Sequence, residues 1–508
     1  MRIVAFSDWR IQPIQDVDWA LDAIDPRPDV LLYAGDDVVR FGGRQLSDDA
    51  SGSWRPTAPI GLEASTTNHF VRLAKRTRLG LGAVIGNDCA PADRGIIAGS
   101  RVWNLHDKPK LIGGFGVIGL EGSPGSIGFV TYREEDASQH LRASAAHFRR
   151  GTPLIVVSHA PPRGCLDLAL RFGLSRIGSV ALRDFVQRND VQLVICGHCH
   201  IGGGQTERFG RCLVVNAANH DGRWQETEGR VAVIDLSPDA APKIEWVAAK
   251  ELKTTALHGC GAKRANRLAE AGITRRNQVL DAEPGKLAGI ANVSLSMAVR
   301  WQVHARAIED RRFLPVPDVA EADELPTELL FYDIETLPWG QGEQVWLIGL
   351  QHSNQKRVVQ FLAKSEAEER SILERFMTVV EGHPLATLVC YSGTDFDHNY
   401  ISRRLRVLAP RLARKFERRS TMDLLTHLRR RVMPPSAGWN LKSVTHALGV
   451  PGRHGAVGLP LACAYLEWLR NGVKPNWRMA REYNEDDVRA MPLLLERVRN
   501  DRLVDHSG

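Results

Sequence analysis

Cysteine is scarce in this sequence: eight cysteines are spread over 508 residues. Their number and spacing are not those of a small secreted domain held together by disulfides. We therefore predict neither a disulfide framework nor a structural zinc site. We expect the protein in a reducing compartment, the cytoplasm.

Long apolar runs are also missing. The N-terminal stretch MRIVAFSDWR is apolar for only a few residues before Asp8, too short for the apolar part of a signal peptide. No other stretch reaches the roughly 20 apolar residues that a membrane-spanning helix needs. We expect a soluble protein with no membrane partner.

Internal repeats and low-complexity tracts are absent too, and the composition is 43% hydrophobic and 25% charged. A chain of this length has material for two or three separately cored domains. Lys and Arg number 66 against 59 acidic residues, which gives a formal net charge of +7. That excess suits a polyanionic partner such as nucleic acid, but many unrelated proteins share it.

The first half of the chain has short runs rich in Val and Ile that alternate with segments compatible with helices, as in α/β layers. The runs lie at 2–6, 29–33, 81–85, 153–157 and 191–196. Further on, the sequence becomes rich in Ala and Arg, and a stretch with Pro and acidic residues precedes LLFYDIET. We predict an α/β multidomain protein with an N-terminal domain over 1–248, a helical region over 254–311, a linker over 312–327 and a C-terminal domain over 328–502.

Each apolar run of the first half ends in residues that can bind a metal ion. In order they are Asp8, Asp36 with Asp37, Asn87 with Asp88, His159, and His198 with His200. In α/β sheets, ligands bind in the crevice outside the carboxyl ends of the strands. Taken singly, such residues are usually turn formers. The ordered set of carboxylate, amide and imidazole groups predicts a metal centre at that edge.

The ordered motifs resemble the calcineurin-like metallophosphoesterase family, whose pattern is D-x-H, G-D-x-x-x-R, G-N-[HD], a lone His and G-H-x-H. The resemblance covers the N-terminal domain and implies a four-layer α/β/β/α fold. It also implies two divalent metals, which generate a hydroxide and neutralise charge on the phosphoryl oxygens. Asp36 is implied as the bridging ligand, Asp8 and His200 as ligands of one metal, and Asn87, His159 and His198 as ligands of the other.

Two positions depart from that pattern. Arg10 stands where the family has a His ligand, and a guanidinium cannot coordinate a cation, so we expect a weakened first metal site. Arg10 is instead a candidate to hold a substrate phosphate. Asp88 stands where many members have a His that protonates the leaving group, which leaves a general-acid role for Asp88 open. A phosphoesterase domain without activity, retained as a scaffold, is the strongest alternative.

The helical region reads as two short helical pairs with tight turns of small residues. The first turn leads into a basic helix, and glycines there let the backbone approach a phosphate near the N–H groups of the helix N-terminus. This resembles the helix-hairpin-helix DNA-binding motif, which positions a duplex without reading its sequence. The residues that carry it are Gly259, Gly261, Lys263, Arg264 and Arg267, with a looser second copy at Gly289-Ile290-Ala291. The alternative is a helical linker with glycine caps.

The last third holds a second set of acidic residues. Asp333 and Glu335 are two residues apart on a predicted strand and therefore project from the same face. Buried like charges this close repel strongly unless a cation lies between them. Asp397 lies at the start of a predicted helix, and Tyr483 and Asp487 lie four residues apart on one face of another.

Asp-x-Glu, a central Asp and Tyr-x-x-x-Asp, in this order, resemble the DEDD exonucleases of the RNase H-like fold. The flanking segments TMDLL and LKSVTHALGV are closest to the predicted exonuclease branch. The resemblance implies that Asp333, Glu335, Asp397 and Asp487 hold two Mg²⁺ or Mn²⁺ ions, and that Tyr483 orients or helps to deprotonate the attacking water. Ligands that are all oxygen atoms favour Mg²⁺ or Mn²⁺ over zinc.

Other residues nearby leave parts of this site open. Asp395 and Asp486 lie near enough to blur the register, and Asp423 is a candidate to support the ligands. Trp439 is a candidate stacking surface for bases. Basic residues between the motifs either form a solvated helical face or track a phosphate backbone. They are Arg403, Arg404, Arg406, Arg411, Arg414, Lys415, Arg418, Arg419, Arg429, Arg430 and Arg431.

These patterns predict a metal-dependent nuclease that acts on nucleic acid, on DNA more than on RNA. In this hypothesis the C-terminal domain trims 3′ ends, the hairpins hold the strand, and the N-terminal domain cuts or dephosphorylates termini in repair or in defence. Two alternatives stay open: a nucleic-acid-binding adaptor with a silent phosphoesterase domain, and a separable nucleotide or cyclic-phosphate phosphatase.

Overall fold

The computed structural model describes residues 1–9, 15–36, 64–125, 128–169, 174–219, 229–237, 240–317, 325–450, 452–453 and 458–505. The chain divides into two compact units, Met1–Lys250 and Glu251–Gly508. Arg10 and Asp37 lie outside the described residues. Within the described part of the chain, no helix is both long and apolar enough to cross a membrane.

The first unit contains two six-stranded sheets with helices packed on them. Its strands are β1 (Arg2–Phe6), β2 (Val30–Tyr33), β3 (Gly80–Ala83), β4 (Val102–Asn104), β5 (Lys110–Ile112), β6 (Phe115–Leu120), β7 (Ser123–Pro124), β8 (Thr131–Tyr132), β9 (Leu154–Ser158), β10 (Leu168–Ala169), β11 (Ser175–Arg176), β12 (Val191–Cys196), β13 (Gln205–Phe209), β14 (Cys212–Asn216), β15 (Arg230–Ser237) and β16 (Ala240–Ala248). Its α-helices are α1 (Gln15–Asp22), α2 (Ala64–Lys75), α3 (Glu134–Ala145) and α4 (Val180–Arg188). The sheet orders are β16-β15-β1-β2-β3-β4 and β13-β14-β12-β9-β6-β5.

Alternating side chains of the central strands generate the layers of this unit. Ile3 and Ala5 of β1 enter a core that they share with Val157 of β9, so this core lies between the two sheets. Val4 and Phe6 enter a core that includes side chains of α1 and α2. A third core joins the second sheet to α3 and α4. The strands are buried on both faces, as expected for central strands of layered sheets, and the four-layer α/β/β/α fold is confirmed.

The second unit contains a five-stranded sheet and a set of helices. Its strands are β17 (Leu314–Pro315), β18 (Leu329–Thr336), β19 (Val345–His352), β20 (Val359–Leu362), β21 (Thr387–Cys390), β22 (Thr421–Asp423) and β23 (Val432–Met433). Its α-helices are α5 (Ala262–Glu270), α6 (Arg276–Asp281), α7 (Pro284–Ala291), α8 (Leu295–Asp310), α9 (Glu369–Gly382), α10 (Phe396–Leu408), α11 (Pro410–Phe416), α12 (Leu424–Arg429), α13 (Leu441–Ala447), α14 (Gly458–Asn471) and α15 (Trp477–Asp505). The sheet order is β20-β19-β18-β21-β22.

The helices α5–α8 and the five-stranded sheet belong to the same unit. The segment after α8, predicted above as a linker, contributes strand β17, which pairs with β23. The reason is apolar burial: Leu314 and Val316 pack with Met433. The backbone N–H of Val316 also donates to the carbonyl of Arg431 at 3.0 Å. Residues 318–324 of that segment lie outside the described part.

The two turns of the helical region differ in how well the sequence predicted them. Gly259 has φ of 80°, and Gly261 is the N-cap residue of α5, as a tight turn before a helix requires. The second turn was placed wrongly, because Gly289-Ile290-Ala291 lies inside α7. The helix ends instead at Asn292, whose φ is 53°. Asn tolerates this left-handed conformation better than most residues.

Candidate metal centres

The first centre lies where strands of the first unit end. Asp8, Asp36, Asn87, His159 and His198 come one to four residues after β1, β2, β3, β9 and β12. The φ angles of Asp8, Asp36 and His198 are 51°, 63° and 62°. Such values are uncommon for residues other than glycine. The chain therefore turns sharply as it leaves three of these strands.

His159 is fully buried and held in one orientation. Its Nδ1–H donates to the carbonyl of Ala34 at 2.8 Å, while Nε2 lies 3.2 Å from Asp36 Oδ2 and 3.0 Å from Asn87 Oδ1. Metal-binding histidines commonly donate their second N–H to a carbonyl or carboxylate. The orientation therefore fits a metal ligand that binds through Nε2.

Asp8 is fully buried as well and is surrounded by donors. Its Oδ2 accepts hydrogen bonds from Ser7 Oγ at 2.8 Å and from the backbone N–H of His198 at 3.1 Å. Its Oδ1 lies 3.1 Å from His200 Nε2. Ligand atoms of Asp8, Asp36 and His159 lie within 4.8 Å of one another. Ser7 was missed by the sequence reasoning, because a Ser beside an Asp carries no signal of its own.

Opposite charges compensate for burial in this centre. Burial alone would raise the pKa of Asp8, but the hydrogen bond from His200 and the charges of His159 and His200 bring it below its usual value. Burial would lower the pKa of His159, whereas the adjacent carboxylate of Asp36 raises it to about 9. The carboxylates thus require a positive partner, which a divalent cation also supplies.

Asp88 supports its neighbours in this arrangement. Its backbone N–H donates to Asp36 Oδ1 at 3.0 Å, and its Oδ1 accepts a hydrogen bond from Asn87 Nδ2 at 2.7 Å. The second contact turns the Asn87 oxygen towards His159. A Cβ atom on Gly86 would lie 1.8 Å from Asp36 Oδ1, so only glycine fits there.

Cys196 and Cys199 have a C-x-x-C spacing around His198, within the same centre. Both are fully buried, and burial raises the pKa of each thiol well above its usual value. The thiolate is the form that binds metals. All eight cysteines are free and buried.

The second centre lies between β18 and the helices α10 and α15. Carboxylate oxygens of Asp333, Glu335 and Asp487 lie within 4.8 Å of one another. Asp397 is buried at the start of α10, and the backbone N–H of Ile334 donates a hydrogen bond to it. The structure therefore brings together the four carboxylates that the sequence motifs singled out.

These carboxylates are poorly suited to carry charge without a cation. Burial, followed by the charges of the neighbouring carboxylates, raises the pKa of Asp333 and of Glu335 well above the usual values. Burial raises the pKa of Asp397 to about 7. Carboxylates clustered this closely can all ionise only when a cation lies among them. Their oxygen atoms suit Mg²⁺ or Mn²⁺.

Lys442 brings a positive charge into this centre. It lies on α13, its ammonium group contacts Asp487 Oδ1, and Nζ is 4.0 Å from the centroid of the Tyr483 ring. Its charge opposes the upward shift in the pKa of Asp333 and Glu335. This lysine lies in the segment LKSVTHALGV, but no sequence motif predicts a role for it.

Asn484 was also missed. It is fully buried, and its Nδ2 donates to Asp333 Oδ2 at 2.8 Å, while Gln360 Nε2 donates to Asn484 Oδ1 at 3.0 Å. It therefore fixes the Asp333 carboxylate. A signal was available: Asn484 is three residues before Asp487, which places both on one face of α15.

Three other acidic residues lie outside the cluster around Asp333. Asp395 is exposed, and its backbone N–H donates to Asp423 Oδ2 at 3.2 Å. The other oxygen of Asp423 accepts the N–H of Thr426 at 3.1 Å and caps α12. Asp486 forms an ion pair with Arg453 at 2.8 Å.

Residues 1–202 match a family model described as calcineurin-like phosphoesterase, and residues 330–499 match one described as RNase H superfamily. The chain combines these two domains. Both families are metal-dependent phosphoesterases or nucleases, so the protein is a metal-dependent hydrolase. Such families use divalent metals, and the RNase H-like domain indicates a nucleic-acid substrate.

Solved structures similar to the chain include TT1561 of Thermus thermophilus, with 18% identity and a TM-score of 0.35, covering 49% of this chain and 98% of that one. Another is the Thermus thermophilus sulfate thiohydrolase SoxB in complex with glycerol, with 10% identity and a TM-score of 0.28, covering 49% and 56%. At these values the likeness does not bear on function. No curated protein matches the chain.

Much of the basic run on the RNase H-like domain is already paired. The ion pairs are Arg403 with Glu343, Arg404 with Glu369, Arg406 with Glu417, and Lys415 with Glu381. Arg419 donates to three backbone carbonyls. These residues fit the solvated helical face better than a phosphate track. Trp439 is buried in a core cluster, so the prediction of a stacking surface there is wrong.

The predicted phosphate-binding turn has an exposed surface. Gly259, Gly261 and Lys263 are exposed at the start of α5. Arg264 Nη1 donates to the carbonyl of Gly259 at 2.5 Å, and Arg267 Nη1 donates to that of Ala291 at 3.1 Å. Both arginines therefore brace the turns, and Lys263 stays a prediction as a phosphate contact.

Proposed function

We propose that the RNase H-like domain is a 3′→5′ exonuclease, acting on DNA more than on RNA. The observation that carries the proposal is the cluster of Asp333, Glu335 and Asp487, whose oxygens lie within 4.8 Å while burial and repulsion oppose their ionisation. With Asp397, these residues fit two Mg²⁺ or Mn²⁺ ions. When bound, such ions activate water and neutralise charge on the scissile phosphate.

The chain's own residues then orient the reactants. Burial, followed by the charge of Asp487, raises the pKa of Tyr483, so its hydroxyl stays protonated. In the proposal it orients the attacking water by hydrogen bonding or helps to deprotonate it. Lys442 places an ammonium group beside Asp487, where it stabilises negative charge that develops on the phosphate.

We propose that the phosphoesterase domain is active and processes nucleic-acid ends, in repair or in defence. Two divalent metals would be held by Asp36, by Asp8 and His200, and by Asn87, His159 and His198. The orientation of His159, with Nδ1 donating to a carbonyl, supports this set. Asp88 as general acid and Arg10 as a phosphate contact remain predictions.

A separable phosphatase is the second candidate for this domain. All of its proposed ligands lie in the first unit, Met1–Lys250, so the centre is complete without the nuclease. Such a domain would hydrolyse nucleotides or cyclic phosphates on its own. A silent domain would do neither, and the protein would then be an adaptor.

The test is Mn²⁺- or Mg²⁺-dependent degradation of 3′- and 5′-labelled single- and double-stranded DNA and RNA. We expect Asp333→Ala to remove the 3′ ladder and His159→Ala to change only the end products or the hydrolysis of small phosphoesters. Glu374→Ala, a substitution of a partly exposed acid on α9 that pairs with Arg370, serves as the control. Binding without any cleavage by the wild type would contradict the proposal and support the adaptor.

A further inference from the structure

The hairpin turn of the helical region is fixed to the RNase H-like domain through a buried histidine. His304 Nδ1 accepts the backbone N–H of His258 at 2.9 Å, and its Nε2–H donates to the carbonyl of Ser436 at 3.1 Å. Burial lowers the pKa of His304 to about 4, so it stays neutral and keeps this tautomer. Trp301 Nε1 donates to the carbonyl of His258 at 3.1 Å. Both backbone polar groups before Gly259 are therefore tied down.

Two arginines from other elements lie near this turn. Arg300 lies on α8, and Arg429 is the last residue of α12. Burial lowers the pKa of His258, and the nearby charges of Arg429 and Arg300 lower it further. Arg429 Nη1 would lie 3.7 Å from a Cβ atom on Gly393, which precedes Asp397 by four residues. Positive charge thus continues from the hairpin turn to the loop that precedes Asp397.

These two cations lack anionic partners in the part of the chain that the structure describes. Among the described residues neither Arg300 nor Arg429 has an ion-pair partner, and the buried Nε of Arg300 has no hydrogen-bond partner there. Grouped like charges are destabilising unless an anion compensates them. A polynucleotide backbone supplies regularly spaced anions, and arginine binds phosphate through paired N–H groups.

The exposed aromatic side chains favour an unpaired strand. Trp339 is 95% exposed and follows Glu335 by four residues, and Phe396 is 44% exposed and adjoins Asp397. Exposed rings beside a basic track are how proteins stack the bases of single strands. A duplex keeps its bases stacked on each other and offers no free base to such rings.

We propose that Arg300, Arg429 and the turn at Gly259 bind the phosphate backbone of one single nucleic-acid strand whose 3′ end enters the carboxylate centre. The inference rests on the proposed exonuclease function and deepens it. The helical region is then part of the substrate-binding surface of the nuclease and extends it away from the carboxylates.

The first test is the salt dependence of binding, measured without divalent metal. The labelled ligands are a single-stranded 20-nucleotide DNA, an RNA of the same sequence and a blunt 20-base-pair duplex. For single strands, each lost phosphate contact lowers the slope of log K against log salt by about 0.7. We expect Arg300→Ala/Arg429→Ala to lower it by about 1.4 for one or both single strands. Arg306→Ala/Arg499→Ala removes two exposed arginines of the same unit and should not change it.

The second test compares Mn²⁺-dependent hydrolysis of a 20-nucleotide strand with that of a dinucleotide. We expect Arg300→Ala/Arg429→Ala to lower the ratio of kcat/KM for long over short substrate, and Arg300→Lys/Arg429→Lys to restore most of it. Thermal melting shows whether each variant is folded.

The outcomes separate the two proposals. If the wild type hydrolyses neither substrate, the exonuclease proposal fails. The salt slopes then still show whether Arg300, Arg429 and the turn at Gly259 bind the phosphate backbone. In another outcome, the wild type hydrolyses both substrates while the Arg300→Ala/Arg429→Ala variant and the control variant have the same salt slope and the same kcat/KM ratio. That result would overturn the proposed backbone-binding surface. If the variant lowers the salt slope for the duplex alone, the single-strand proposal is also overturned, and duplex binding by the hairpins is supported.

Discussion

At the scale of single residues, the carboxylates of the RNase H-like domain make its stability depend on pH and metal. The folded pKa of Asp397 is about 7, above the usual Asp value of 3.8. The stabilisation from its proton is fully present below about pH 4 and is lost as pH rises through 7. The metal-free domain is therefore less stable at pH 8 than at pH 6.

A cation that binds the ionised carboxylates reverses this loss. We expect Mn²⁺ to raise the Tm more at pH 8 than at pH 6, in a His159→Ala background that disables the phosphoesterase centre. Asp333→Asn removes one repelling charge, so it should raise the metal-free Tm at pH 8 and reduce the Mn²⁺ shift. Differential scanning calorimetry measures both, and an equal Mn²⁺ shift at the two pH values would contradict the expectation.

Burial distinguishes Asp397 from Asp395. The sequence alone favoured Asp397 as the central ligand but left Asp395 nearly as plausible. Asp397 is 6% exposed and its charge acts on Asp333, whereas Asp395 is exposed and contacts Asp423 through its backbone. We expect Asp397→Asn to lower kcat by at least the roughly hundredfold typical of a lost catalytic group, and Asp395→Asn to have a much smaller effect. Single-turnover kinetics on a 3′-labelled strand make the comparison. A larger loss of kcat in Asp395→Asn than in Asp397→Asn would indicate that Asp395 is the metal ligand.

At the scale of elements, the contact between β19 and α15 sets the position of Asp333. A Cβ atom on Gly349 would lie 2.2 Å from Asn484 Oδ1. We expect Gly349→Ala to destabilise the protein by about 1–3 kcal/mol through overpacking and to impair the nuclease by displacing Asn484. Gly289→Ala, in open space on α7, should instead be neutral or stabilise by about 0.5–1 kcal/mol. Urea denaturation and nuclease assays compare the pair, and equal stabilities would refute the packing argument.

The elements also show what sequence could and could not predict. Strand ends with Asp8, Asp36 or His159 were predictable, because periodic apolar runs end in polar residues with a known chemical preference. The pairing of β17 with β23 was not, because a two-residue strand has no period and depends on a partner far along the chain. Lys442 and Asn484 carry no motif of their own, since their roles come from tertiary contacts with Asp487 and Asp333.

At the scale of the whole molecule, the division at Lys250 predicts how the chain can be cut. We expect fragments 1–250 and 251–508 each to fold, and a fragment that starts at 328 to be less stable. The reason is that the last loses Leu314 and Val316 from the cluster with Met433, and such apolar losses cost about 2 kcal/mol or more per side chain. Circular dichroism melts test this. Equal melting temperatures of the two C-terminal fragments would show that the helical region is only a linker.

The left-handed backbones at Asp8, Asp36 and His198 have a consequence for how the chain can change by substitution. Each holds a non-glycine residue where glycine would be easier to accommodate, at a cost of about 1 kcal/mol. In a domain with no reaction to perform, random substitution would relieve that cost, and nothing would restore the lost group. We therefore expect laboratory drift under selection for stability alone to replace these residues early.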